Sequence, residues 1–266
     1  MDAYCINLAS RPDRMEALHA DIKRLSLPWN IIRYDAVPMG RIGCGTSHQN
    51  LIKLAADQQM EQILVLEDDV LFTEDSYTQM ERCLAALPDD WDILWGGFYK
   101  MTKGGVIPMP EITGITPIFK IAGRFMGTQF ILYRKTAYER MLQWNPSAHG
   151  HDIDIYLCER VQQDPRFKPF NIYTSVPFIA TQRDGMSNIS NNISRYSNLF
   201  SRPEMSLLKR ADPVRYQKTL KQRQKDKIAE RQEQRRQMLE KRKKKGRQQE
   251  KPVEPVRPRC THQFIN

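Results

Sequence analysis

The chain has 266 residues, 27% of them charged and 40% hydrophobic, and a formal net charge of +10, which suits one domain with a full core plus an appendage. No uninterrupted apolar stretch of about 18 residues and no charged-then-apolar leader occurs, so neither a membrane span nor a signal peptide is expected. Five scattered cysteines (Cys5, Cys44, Cys83, Cys158, Cys260) form no CxxC pair or Cys/His cluster, which disfavours structural zinc and fits a reducing, cytoplasmic setting.

The positive charge is concentrated at one end. Residues 1–200 carry 20 Lys/Arg against 23 Asp/Glu, while residues 201–266 carry 21 against 8. The first part is therefore slightly acidic, and the overall charge does not argue for nucleic-acid binding by it. The expected division is a catalytic domain at 1–200 and a basic, low-complexity tail at 201–266.

In chain order, residues 3–8 read as a buried strand and residues 12–25 as an amphipathic helix with Pro12 in its first turn. Residues 29–34 read as a second strand. A helix within 43–60 takes Thr46 or Ser47 as N-cap and turns Leu51, Leu54 and Ala55 inward. Residues 63–66 form a third strand, 76–87 a helix, and 92–95 a strand. Alternating strands and helices imply βαβ units and a mostly parallel sheet. Residues 103–123, rich in Gly, Pro and β-branched side chains, read as a hairpin or loop. Strand 128–133, helices 135–144 and 152–161, and strand 168–173 follow, with a polar loop at 177–194. From 212 to 251 the apolar residues Leu220, Ile228 and Met238 are too sparse to bury a helix face, so this segment is either a solvated helix or disordered.

The strongest local signal is Ile63-Leu64-Val65-Leu66-Glu67-Asp68-Asp69. A strand buried on both faces ends there in three consecutive carboxylates. Ligands of open α/β sheets bind beyond the carboxyl ends of strands, and clustered hard oxygens suit Mg²⁺ or Mn²⁺. The plainer alternative is a solvated turn.

Several motifs occur in an order that resembles glycosyltransferase family 25, the lipooligosaccharide and collagen galactosyltransferase type. They are Ile6-Asn7-Leu8 with Arg11 and Arg14; Gly43-Cys44-Gly45-Thr46-Ser47-His48; Leu66-Glu67-Asp68-Asp69; residues 127–137; His151-Asp152-Ile153-Asp154; and Pro177 with Gln182 and Gly185-Met186-Ser187-Asn188. The resemblance covers about residues 3–195. It implies a GT-A-like (Rossmann-like) α/β fold, a nucleotide-sugar donor such as a UDP-hexose, and a divalent Mn²⁺ or Mg²⁺. The expected transfer is a metal-dependent, inverting displacement, with a lipopolysaccharide-type saccharide as acceptor.

On that resemblance Asp69 is the first metal ligand, joined by Glu67, with His151 (and His149) in reserve. Donor binding falls to Asn7, Leu8, Arg11, Arg14, Ser47, His48, Glu67 and Asp68, where guanidinium groups pair with phosphate and the 46–48 segment is expected to open a helix facing an anion. Asp154 is the catalytic base that takes the acceptor proton, with Asp152 as the alternative base or a helix cap. Gly127, Thr128, Gln129, Gln182 and Ser187 are the acceptor residues. Trp91, Trp95, Gly96, Gly97 and Tyr99 frame the sugar pocket or belong to the core.

Lys241-Arg242-Lys243-Lys244-Lys245-Gly246-Arg247 is a dense cationic run. It suits nucleic acid, an anionic membrane surface, or water alone, and no aromatic residue interleaves it for base stacking. Two other functions stay open. One is transfer to hydroxymethylated bases in DNA; the other is a non-catalytic nucleic-acid-binding protein on a GT-A scaffold. A phosphohydrolase of the haloacid-dehalogenase type is disfavoured, because Asn7-Leu8-Ala9-Ser10 stands where its nucleophilic Asp would follow the first strand.

Overall fold

A computed structural model describes residues 1–101, 106–108, 118–121, 123–160, 168–186, 193–194 and 196–249. The chain divides into two units, Met1–Pro213 and Val214–Asn266. Strand β1 (Asp2–Asn7) leads through α1 (Pro12–Arg24) to β2 (Asn30–Asp35), then α2 (Gly40–Asp57), β3 (Gln62–Glu67), β4 (Val70–Phe72), α3 (Ser76–Ala86) and β5 (Ile93–Trp95). Short strands β6 (Lys100–Met101), β7 (Val106–Pro108), β8 (Ile118–Ile121) and β9 (Phe125–Met126) precede β10 (Phe130–Arg134). Helical turns α4 (Tyr138–Leu142), α5 (Pro146–His149) and α6 (Ile153–Ile155) follow, then β11 (Ile172–Ser175), β12 (Ala180–Gln182) and β13 (Gly185–Met186).

The main sheet has the order β2-β1-β3-β10-β5-β11-β8-β7. β1 pairs in parallel with both β2 and β3, and β11 in parallel with β5. β10 is inserted antiparallel between β3 and β5, and β8 lies antiparallel to β11 and β7. All described strands of this sheet except β10 and β8 therefore run the same way, and the expected mostly parallel α/β sheet is present. Alternation along the strands splits the core into two faces. Ala3, Cys5, Leu64, Leu66, Leu94, Phe130 and Leu132 meet Met15 and Leu18 of α1 and Met80 and Cys83 of α3. Val65 and Tyr133 point the other way, toward α2, whose Leu51, Ile52 and Ala55 are fully buried.

Three local expectations are corrected. First, α2 begins at Gly40, with Met39 preceding it, so Thr46 and Ser47 lie inside the helix and not at its N-terminus. Both hydroxyls donate back one turn, Thr46 to the Ile42 carbonyl (2.8 Å) and Ser47 to that of Gly43 (2.7 Å). The early start is possible because Gly43 packs against the Val37 carbonyl and Gly45 against the Trp144 ring, where a Cβ would collide. Second, residues 135–144 split into one 3-10 turn and the short α4, and 152–161 into α6 and a π-type turn at Tyr156–Arg160. Third, the strand expected at 168–173 forms at Ile172–Ser175, and the 177–194 stretch is not all loop: β12 pairs antiparallel with β4.

The helix Tyr196–Ala211 runs across the boundary expected at residue 200. Phe200, Leu207 and Leu208 are buried, and Glu204 accepts a hydrogen bond from the Phe178 amide at 3.1 Å. In the second unit the chain is helical through residue 249 (Pro213–Gln249). The side chains of 241–247 and residues 250–266, Cys260 included, lie outside the described residues. No helix among the described residues is long and apolar enough to cross a membrane.

Ser47 is fully buried and its hydroxyl also accepts the Val37 amide at 2.9 Å. Ser47→Ala removes the acceptor of that partly buried amide, so it should destabilise the fold by about 1–3 kcal/mol, measured by urea unfolding.

Candidate functional site

The three consecutive acids at the end of β3 go to three different places. Glu67 continues the strand alternation toward α2. Its carboxylate accepts a very short hydrogen bond from the Thr128 hydroxyl and one from the Cys44 thiol at 3.6 Å, and it lies 3.8 Å from His48 Nε2. Asp68 turns toward β1 and α1. It accepts from Asn7 Nδ2 at 2.7 Å and from Arg14 at 2.6 Å. Asp69 turns toward β12 and accepts from Gln182 Nε2 at 2.7 Å, with the Arg14 guanidinium 3.6 Å away.

The local electrostatics follow from these partners. Burial pushes the Asp69 carboxyl up to about 7, the neighbouring Glu67 charge adds to this, and Gln182 and Arg14 pull against it. Burial would also raise Glu67, but His48, Thr128 and Cys44 together hold it below its ordinary value. Arg14–Asp68 is a largely buried pair, with side chains 16% and 9% exposed. Removing one member of such a pair typically costs about 3–5 kcal/mol.

Asn7 ends β1 and anchors the neighbourhood. Its Nδ2 also reaches the Arg11 carbonyl (2.9 Å), and its Oδ1 accepts from Arg33 Nε (2.9 Å). The Leu8 carbonyl accepts the Arg11 amide in the turn that starts α1. Arg11 pairs with Asp13 at 2.8 Å. Arg11, Arg14, Asp69, Arg183 and Tyr196 line a cleft of about 170 Å³. Asp13 and Asp184 line it as well, so three guanidinium groups and three carboxylates face the cleft, and a phosphate would bind there by competing with those carboxylates for the guanidinium groups. On the other side of Asn7, Ala9, Pro12 and Arg33 border a more open hollow of about 400 Å³.

Residues 127–129 link the acids to the next catalytic candidate. Gly127, at φ +108, donates its amide to Asp154 Oδ2 at 3.3 Å and accepts Trp95 Nε1 at 2.6 Å. A side chain here would be strained by that φ and would press on Tyr99 and Gln129. Thr128 holds Glu67, and the buried Gln129 donates to the Gly97 carbonyl at 2.8 Å. Asp154 is buried, also accepts the Ile155 amide at 2.8 Å, and is pushed up to about 6, chiefly by that burial.

The structure therefore gathers Asn7, Arg14, His48, Glu67, Asp68, Asp69, Thr128, Asp154 and Gln182 around the carboxyl end of β3. Other expected residues sit apart from this group. Ser47 is taken up by packing, His151 is exposed, and Asp152 stands at the N-cap position of α6 without capping it, 3.3 Å from Arg41 on the surface. Trp91 and Trp95 belong to the core, and Gly96 and Gly97 face Phe130 and the Ala180 carbonyl, which leave no room for a Cβ. Ser187, and most of the 103–123 stretch, lie outside the described residues. Sequence reasoning missed Cys44, Arg33, Arg183 and Tyr196. Only Cys44 had a readable signal, its spacing of four from His48.

Asp69 Oδ1 is a buried acceptor with no hydrogen-bond partner among the described residues, a hard oxygen suited to a divalent ion. Glu67, Asp68 and Asp69 do not bring their oxygens into one group; among the described residues the ligand atoms that gather are those of Cys44, His48 and Glu67.

Residues 33–103 match the family model described as glycosyltransferase family 25 (LPS biosynthesis protein). The matched stretch contains Gly43–His48 and the Glu67-Asp68-Asp69 turn, two of the motifs on which the resemblance rests. Over this segment the chain is similar to the family 25 glycosyltransferases, which supports a sugar-transferring enzyme. No curated protein matches the chain. Two solved structures are similar to it. One is a glycosyltransferase involved in the glycosylation of the major capsid of PBCV-1, with 12% identity over 65% of this chain and 80% of that one and a TM-score of 0.39. The other is mannose-1-phosphate geranyltransferase from Thermus thermophilus, with 12% identity over 65% of this chain and 58% of that one and a TM-score of 0.32.

Because Asp69 is favoured in its neutral form by the folded state, its contribution to stability is complete below its unfolded value of about 3.9 and is lost as pH rises through about 7. In chelator, Asp69→Asn should melt like the parent near pH 4 and above it beyond pH 7, as read by thermal denaturation across pH.

Proposed function

We propose that this protein transfers a hexose from a nucleoside-diphosphate sugar to an acceptor hydroxyl by a single inverting displacement. The observation that carries the reading is the acidic end of β3, where Asp68 and Asp69 meet Arg14 beside a cleft lined by three arginines and three aspartates, with Asp154 near enough to feel the Glu67 charge. Arg11, Arg14 and Arg183 would bind the donor diphosphate. Asn7 and Arg33 border the hollow suited to the nucleoside. Asp69 and Glu67 would hold Mn²⁺ or Mg²⁺, which when bound supplies charge neutralisation for the leaving diphosphate.

In the displacement, the acceptor oxygen bonds to the anomeric carbon as the bond from that carbon to phosphate oxygen breaks, and the nucleoside diphosphate leaves. The Asp154 carboxylate takes the acceptor proton. A carboxyl held at about 6 is ionised at neutral pH and is a stronger base than an ordinary aspartate. Thr128 keeps Glu67 in place, and the Gly127 amide orients Asp154.

The decisive experiment is a donor screen: a panel of nucleotide sugars with Mn²⁺, with and without EDTA, reading nucleotide release and the donor-dependent shift in melting temperature. Release from one donor that EDTA abolishes supports the reading, and silence in both readouts overturns it. With the productive donor, Asp154→Asn should lower kcat by about 10²–10⁴ without lowering the melting temperature, and the parent activity should rise with pH through about 6. Asp69→Ala should nearly abolish transfer.

We further propose that the acceptor is a polyanionic or membrane-associated saccharide recruited by the tail. The helix Pro213–Gln249 carries 15 Lys/Arg against 4 Asp/Glu and is about 55 Å long at about 1.5 Å per residue. Removing residues 214–266 should leave donor hydrolysis intact and raise KM for an anionic acceptor at low salt, with the difference vanishing in high salt. An unchanged KM at low salt would refute recruitment.

A further inference from the structure

Cys44 and His48 lie one turn apart on α2, so their side chains share one face of the helix. That face meets the end of β3. There Cys44 Sγ is 3.6 Å from Glu67 Oε1, and His48 Nε2 is 3.8 Å from the same oxygen. The potential donor atoms Sγ, Nε2 and the carboxylate oxygen all lie within 4.8 Å of one another. His48 is fully buried, and its Nε2 has no hydrogen-bond partner among the described residues. A 3.8 Å separation is too long for a hydrogen bond. An imidazole nitrogen without a partner, in the interior and facing a thiol and a carboxylate, is left unexplained by packing alone.

We propose that Cys44, His48 and Glu67 form a binding site for a borderline-soft divalent ion of the Zn²⁺ class, separate in donor chemistry from the hard-oxygen position at Asp69. The spacing fits. Tetrahedral zinc with Zn–S of about 2.3 Å and Zn–O of about 2.1 Å sets the sulfur and oxygen about 3.6 Å apart, the separation found here. The corresponding nitrogen–oxygen edge is about 3.4 Å, so that edge closes with a shift of about 0.4 Å by a glutamate whose side chain is 17% exposed; the sulfur–nitrogen edge, about 3.6 Å in a tetrahedral site, lies within 4.8 Å here. Thiolate and imidazole select zinc, cobalt or copper over magnesium.

The outer partners needed by such a site are also present. His48 Nδ1 is 3.0 Å from the Tyr133 hydroxyl, a bond that leaves Nε2 as the ligating atom when Nδ1 carries the proton. Thr128 Oγ1 is hydrogen-bonded to Glu67 and 3.8 Å from Cys44 Sγ, beside the fourth coordination position, which water or this hydroxyl would fill. On binding, the ion takes the thiolate and the Cys44 proton is released to solvent. The inference stands on α2 and β3 and does not depend on sugar transfer.

The test is Co²⁺ titration of the full chain in a Cys260→Ser background, after chelation, followed by absorption spectroscopy. One equivalent of Co²⁺ should produce a thiolate-to-metal charge-transfer band and intense tetrahedral d–d bands, both erased by one equivalent of Zn²⁺ and unaffected by excess Mg²⁺. Cys44→Ser should remove the charge-transfer band and weaken Zn²⁺ binding at least 100-fold, whereas Cys83→Ser should keep both. Tyr133→Phe should weaken binding about 10-fold or more. Absence of the band, or its survival in Cys44→Ser, overturns the proposal. If Cys44→Ser does not give a cooperative melt without metal, His48→Gln decides: unchanged Zn²⁺ affinity in that variant overturns the site.

Discussion

Three carboxylates in succession at the end of a strand buried on both faces impose the constraint on which the rest of the site depends. Two unit charges about 4 Å apart in a medium of effective dielectric about 20 interact by about 4 kcal/mol, so the acids must diverge or be compensated. They do both. Strand alternation sends Glu67 to α2, and the turn then sends Asp68 to Asn7 and Arg14 and Asp69 to Gln182. Each compensating group comes from a different part of the chain: β1, α1 and β12. The connections that bring them there are the parallel pairing of β1 with β3 and the antiparallel pairing of β12 with β4.

That divergence separates the proton affinities of chemically similar groups. Glu67, supplied with a thiol, a hydroxyl and an imidazole, is held low, while Asp69 and Asp154, buried with fewer donors, are held high. Environments that push like groups apart are how one site can hold a charge-bearing ligand and a base together. The segment Gly127-Thr128-Gln129 connects the two ends. It follows β9 and precedes the inserted strand β10, and it uses a backbone amide for Asp154 and a hydroxyl for Glu67.

Glu67 also acts on two environments. Its charge raises the proton affinity of Asp69, while its carboxylate faces sulfur and nitrogen on α2. The early helix start at Gly40 creates the second environment. With the helix beginning there, Cys44 and His48 sit in its second and third turns and face β3, not solvent beyond a helix end.

The alternation of strands and helices, the mostly parallel sheet, the strand ending at Glu67 and the charge asymmetry of the tail were all legible in the sequence. Each rests on local pattern: apolar runs of strand length, amphipathic spacing, and counts of charge. The clustering of Asn7, Arg14, Glu67, Asp69 and Asp154 was anticipated through ordered motifs, but their partners were not. Arg183 and Tyr196 come from the far end of the unit, and their proximity is a consequence of β12 docking on β4 and of Phe200, Leu207 and Leu208 burying the helix Tyr196–Ala211. The start of α2 was misread because Thr46 and Ser47 are favoured N-cap residues, while Gly43 and Gly45 in fact lie inside the helix. Their lack of a Cβ is what lets the helix lie against Val37 and Trp144. Local pattern thus determined which residues form strands, helices and an acidic strand end. Tertiary packing alone decided which charge each acid meets, because a carboxylate's partner is set by what long-range pairing brings within about 3 Å of it.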